Sequence, residues 1–130
     1  MPQLSRWLAR TALLYLLAAL LLGVAIPAAG GHSPYLSAAW PVYIHLLVVG
    51  WATQLIAAVA FWMFPRADPK APANDAPGWT MYGLLNAGLL LRAATEPVVE
   101  RHALLPVAAL LQLAAVLIFA ATLWPRIRGR

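Results

Sequence analysis

Long apolar runs alternate with short polar, proline-rich breaks and divide the chain into four stretches, about residues 7–29, 38–64, 77–94 and 97–124. Each has about the 20 residues that a helix needs to cross a bilayer. From Thr11 to Pro65 there is no Asp, Glu, Lys or Arg. A water-soluble fold of this size has too little interior to hide such a run. The pattern predicts an all-α protein: one domain, an antiparallel bundle of four transmembrane helices.

The breaks carry their own signals. Pro27 and Gly30-Gly31 close the first stretch. Ala28-Ala29-Gly30 has the look of a signal-peptide cleavage site, but the apolar run exceeds the ~7–15 residues of a signal core. The first stretch therefore reads as a retained helix. Ser37 is expected to cap the second helix, with Pro41 in its first turn, where a missing N–H does little harm. Arg66, Asp68, Lys70, Asn74 and Asp75 mark a polar loop, and Asp75 with Pro77 opens the third helix. Thr95-Glu96-Pro97 turns the chain into the fourth helix, which Pro106 is expected to kink.

Composition places the chain firmly in the membrane class: 63% of residues are hydrophobic and 10% charged. The net charge of +5 then reads as topology, with no nucleic-acid partner implied. With the amino terminus inside, Arg6, Arg10, Arg66, Lys70, Arg126, Arg128 and Arg130 are cytoplasmic, and only Arg92 and Arg101 are external. Trp7, Trp62, Trp79 and Trp124 then gather at the inner boundary, and Tyr35, Trp40 and Tyr43 at the outer. The expectation is a multi-pass protein of a bacterial-type inner membrane, both termini cytoplasmic. The absence of cysteine excludes disulfides, thiolate metal sites and the attachment motif of c-type heme.

Against this apolar background a few polar side chains stand out. His45 lies inside the second stretch, where an ionisable group is costly and usually has a partner. His32 and His102 fall on the same outer side. At ~1.5 Å per residue, His45 and His102 differ in depth by no more than about one turn. They could face each other and hold a cofactor between helices. The competing reading is that each ring simply bonds a carbonyl or a headgroup. Zinc or copper ranks lower, since no acidic or thiolate ligand shares their depth. Gln54, Asn86 and Gln112 fall near the middle of three helices, and we read them as interhelical glue worth about 1 kcal/mol each; a quinone pocket or proton path is the alternative. Gly50, Ala57, Ala58, Gly83, Ala87 and Gly88 permit close helix packing.

One stretch resembles a known family. His45, then Gly50-Trp51, then Trp62-Met-Phe-Pro65, followed by Asn74-Asp75-Ala-Pro77-Gly-Trp79, are similar to the helix II–III region of the heme-copper oxidase catalytic subunit. The likeness covers about residues 40 to 92. It implies that His45 is an axial ligand of a low-spin, b-type heme near the outer face, with Gly50 and Trp51 on the surrounding helix surface. Its propionates would point outward, toward Arg92 and Arg101, whose guanidinium forks suit carboxylates; Glu96 and Glu100 are the alternative partners. The family's second ligand sits on a later helix not found in this sequence. That leaves His102, His32 or the His45 of a second chain in a symmetric dimer. The histidines of the oxygen-reducing centre have no counterparts either, so the resemblance implies no oxidase or nitric oxide reductase activity. It implies electron transfer or redox and gas sensing, with a quinone or cytochrome as redox partner, or membership of a larger respiratory complex. A cofactor-free accessory or assembly subunit is the alternative.

Overall fold

The computed structural model describes residues 1–64 and 75–127, and among them every regular element is helical. The expected loop residues Arg66, Asp68, Lys70 and Asn74, the closing Pro65, and the terminal Arg128 and Arg130 lie outside the described residues. The first helix, α1, spans Gln3–Ala28 and begins before the expected boundary. It stops where expected: Pro27 sits in its last turn, and Gly30 and Gly31 follow with φ of 53° and 80°. Those left-handed values are the ones that glycine adopts without penalty.

The second apolar stretch is a composite. A short helix, α2 (Pro34–Ala38), is capped by Ser33, whose Oγ accepts from the Leu36 N–H at 3.5 Å. Ser37 is not the cap. Pro34, with its φ preset for a helix, starts the turn earlier, and the Ser37 hydroxyl instead donates to the Ser33 carbonyl at 3.2 Å. Helix α3 (Trp40–His45) takes Pro41 in its first turn as expected. It runs directly into a π-helical segment, Leu46–Thr53, and then into α4 (Gln54–Met63). Within the wider turn the Thr53 hydroxyl donates to the carbonyl five residues back, Val48, at 2.8 Å. Such segments are uncommon inside helices and collect at functional sites.

Helix α5 spans Ala76–Thr95 and is preceded by Asp75 at the N-cap, with Pro77 in its first turn. The Asp75 carboxylate makes no capping hydrogen bond; the contact there is between the Trp79 N–H and the Asp75 carbonyl, at 3.1 Å. A 3₁₀ turn, Val99–Leu104, leads into α6 (Leu105–Ile127). Pro106 is the second residue of α6, where its missing N–H interrupts no helical bond, so it starts the helix and does not kink it.

Three of these helices are long and apolar enough to cross a membrane: Gln3–Ala28, Trp40–Met63 and Val99–Ile127. Helix α5 has 20 residues, about 30 Å at 1.5 Å each. It is less apolar because it carries Asn86 and Arg92, and it packs most closely against α6. Two apolar clusters hold the helices together. One contains Leu4, Leu8, Ala57, Phe61, Met81, Leu85 and Leu123. In it Phe61 stacks edge-on against Phe119 at 5.7 Å, and the Arg126 guanidinium lies 5.5 Å above the Phe61 ring. The other, toward the opposite end, contains Ala19, Val42, Leu46 and Leu89. Gly50 is buried between them. A Cβ there would fall 2.8 Å from Tyr15, so the glycine lets α1 and the π segment touch. Outward faces of α1 and α6 are apolar, with Leu13, Leu14, Leu17, Leu110, Leu113 and Leu117 all more than half exposed.

Candidate functional site

Two polar clusters lie within this apolar frame. The inner one joins α1, α4 and α5. Gln54 is fully buried. Its amide oxygen accepts from the Thr11 hydroxyl at 2.7 Å, and its amide nitrogen donates to Asn86 Oδ1 at 3.2 Å. The Tyr15 hydroxyl donates to the same Asn86 oxygen at 2.8 Å, and Asn86 Nδ2 donates to the Tyr82 carbonyl at 2.8 Å. Of the three amides expected near mid-span, two therefore meet. Gln112 does not. Its nitrogen is buried with no hydrogen-bond partner, and its Cγ lies against Gly88. Asn86 and Gly88 are two residues apart, about 200° around the helix, so α6 lies on the wrong face to reach Asn86.

The network makes a stability prediction. Gln54→Leu removes one partner each from Thr11 and Asn86 and is expected to cost about 1 kcal/mol. Gln112→Met removes only an unpaired amide at similar shape, and is expected to be neutral or slightly stabilising. Thermal unfolding midpoints in detergent micelles, followed by circular dichroism, check both.

The second cluster gathers around the end of α5. Position 45 is the last residue of α3, just ahead of the π segment. His45 Nδ1 lies 2.8 Å from the Pro41 carbonyl oxygen, and Nε2 lies 2.9 Å from Arg92 Nη1. A carbonyl only accepts and a guanidinium only donates. The ring therefore carries its proton on Nδ1, is neutral, and turns the lone pair of Nε2 toward Arg92. The same Arg92 Nη1 donates to Glu96 Oε1 at 3.4 Å, one turn on. Glu96 Oε2 lies 3.8 Å from His45 Nδ1. Arg92 and Glu96 keep 17% and 13% of their side-chain exposure, against 28% for His45, so the ion pair sits deeper than the ring. Buried and without hydrogen-bond partners are Arg92 Nε and Glu96 Oε2.

The other expected site residues are drawn to the same corner. Exposed His102, on the 3₁₀ turn, donates from Nε2 to the Glu96 backbone carbonyl at 3.0 Å. That bond requires a proton on Nε2, whereas the same nitrogen of His45 accepts. Arg101 is exposed and donates to the Ala94 carbonyl at 3.4 Å. His32 donates from Nδ1 to the Ala29 carbonyl at 2.9 Å and stays in its loop. The sequence named Glu96 only as an alternative arginine partner; in the fold it touches His45, Arg92 and His102. Its signal was the spacing Arg92–Glu96, one helical turn. Thr11 and Tyr15, which complete the inner network, stand four apart on one face of α1.

Among the described residues, no three His, Cys, Asp or Glu side chains come together to hold a metal ion. A bare zinc or copper ion, which needs three or four protein ligands, has no donor set there. A macrocycle that brings its own four nitrogens needs one or two. His45 has one ring nitrogen anchored on a carbonyl and a lone pair on the other, to which Arg92 Nη1 already donates. His102 Nε2 is engaged as well, on the Glu96 carbonyl. A small apolar cleft of about 10 Å³, room for a water-sized group, opens elsewhere, between Thr53, Ala57, Met81, Leu85, Ala115 and Phe119. That is far below the roughly 300–1,000 Å³ of ordinary ligand sites. The chain matches no family model, no curated protein and no solved structure.

Proposed function

We propose that the protein is a four-helix antiparallel bundle of a bacterial-type inner membrane, with both termini cytoplasmic, that binds b-type heme through His45 Nε2. One observation carries the reading: the His45 Nδ1–H held at 2.8 Å by the Pro41 carbonyl. Metal-binding histidines usually anchor their other nitrogen in this way, which fixes the tautomer and the ring. The π-helical segment beginning at Leu46 and the likeness to the oxidase helix point to the same residue. The excess of Lys and Arg on one side supports the orientation.

Within this reading His45 Nε2 would hold the iron, and Arg92 and Arg101 would offer cations for the heme carboxylates. When bound, heme supplies a one-electron iron couple whose potential is set by axial ligation and burial. The protein's contribution is to hold the ring in one tautomer, exclude water with the apolar cluster of Val42, Leu46 and Leu89, and lock α4 to α5 through Gln54 and Asn86. With His102 engaged on Glu96, a single protein ligand suits gas or redox sensing. A second His45 from another copy would suit electron transfer to a quinone or cytochrome.

A second reading has an observation of its own. Arg92 already fills His45 Nε2, and α1 and α6 present broad apolar faces, as in a cofactor-free accessory subunit of a larger respiratory complex. Absorption spectra of the full chain, purified after growth with added heme precursor, separate the two. The heme reading expects a Soret band that shifts on reduction. A colourless protein that co-purifies with a membrane complex overturns it in favour of the second. The sequence contains no cysteine, so single cysteines placed at positions 3, 32 and 100 report topology directly. Impermeant maleimide is expected to label 32 and 100, and not 3, in intact cells.

A further inference from the structure

The contact between Arg92 and His45 has a direction. Nη1 is a donor, so at 2.9 Å it covers the one nitrogen of His45 able to bind a metal. Arg92 is itself held by Glu96, whose Oε1 accepts from the same Nη1 at 3.4 Å. Both side chains are mostly buried, and each retains an unsatisfied atom, Arg92 Nε and Glu96 Oε2. These spare donor and acceptor atoms leave a displaced guanidinium and the carboxylate sites at which to form new hydrogen bonds. If Arg92 leaves the ring, Glu96 remains beside it as a charged partner.

We infer that Arg92 is a cap on the ligand nitrogen of His45, and that Glu96 is the positioning residue that keeps the cap in place. An electrophile, metal or heme iron reaches His45 only after the guanidinium is displaced. The inference rests on the heme reading for its purpose, while its geometry stands without it. The cap favours the same tautomer as the Pro41 carbonyl, which alone holds the Nδ1 proton once the cap is removed.

The test uses full-length protein purified in detergent without heme. Diethyl pyrocarbonate acylates the lone-pair nitrogen of a neutral imidazole, and peptide mass mapping reads the rate at His45 apart from His32 and His102. Arg92→Ala is expected to raise that rate roughly tenfold or more, the change represented by one charge-assisted hydrogen bond. Glu96→Ala is expected to raise it as well, Glu96→Gln to restore most of the protection, and Glu100→Gln to leave it unchanged. Equal rates in wild type and Arg92→Ala overturn the cap, and a wild-type rate in Glu96→Ala overturns the role of Glu96. Should Arg92→Ala fail to fold, ¹⁵N spectra of the unaltered protein decide. The proton of His45 on Nδ1 is required, and a proton on Nε2 overturns the proposal. These readouts need no heme, so a colourless protein with a protected His45 defeats the heme reading and leaves the cap standing.

Discussion

Gly88→Ala is expected to destabilise the fold by about 1–3 kcal/mol, the range for overpacking a close contact. A Cβ at this position would sit 2.9 Å from the Ala108 carbonyl oxygen, 2.9 Å from Gln112 Cγ and 3.1 Å from Leu111 Cβ. The first of these atoms is backbone and has no rotamer into which to retreat. Helices α5 and α6 must move apart, and their contact is the most extensive among the described residues. Gly83→Ala supplies the contrast. Nothing lies within 4 Å of its added Cβ, and the residue is exposed. That substitution is expected to change stability by no more than about 0.5 kcal/mol, apart from a helix-propensity gain of up to about 1 kcal/mol. Gly78→Ala should fall between, because its added Cβ meets Leu4 Cδ2, the free end of a flexible side chain. Unfolding midpoints of the three variants in one detergent give the order directly. Equal effects at 83 and 88 would contradict the packing described.

How much of this was legible beforehand depends on the scale of the feature. The helical class was plain, because a run without charge from Thr11 to Pro65 leaves no other economical fold. Gly30-Gly31 and Pro41 did what their backbone chemistry requires. Pro106 and Ser37 misled for a common reason: their roles depend on where a helix starts. Helix α6 starts at Leu105, not near residue 97, which turns an expected kink into an N-terminus, and α2 starts at Pro34, which moves the cap to Ser33. The π segment has no signature in composition, since Leu46–Thr53 is as apolar as its flanks. The amide network was half legible. Depth along a helix is read from residue number, but facing is set by rotation, and Gln112 was at the right depth on the wrong side. At the outer cluster, the sequence brought His45, His102, Arg92 and Arg101 to one level. What it could not supply was Glu96 at their centre, because a turn residue after Thr95 is placed only once the 3₁₀ turn folds back.

His45→Ala is expected to have the largest functional effect. The side chain keeps 28% of its exposure, its bond to Pro41 is local to one turn, and Arg92, which it meets at 2.9 Å, keeps Glu96 as a partner when the ring is removed. Helical content and detergent-solubilised size are therefore expected to match wild type, which separates loss of a ligand from loss of structure. Gln112→Met serves as the matched control, far from the ring and already short of a partner.

The decisive measurement is the Soret absorbance of heme-supplemented His45→Ala beside that of wild type, at equal protein concentration. The account predicts a band in wild type and in Gln112→Met, and its loss in His45→Ala. An undiminished band in His45→Ala would show that the iron is held elsewhere and would contradict the central claim.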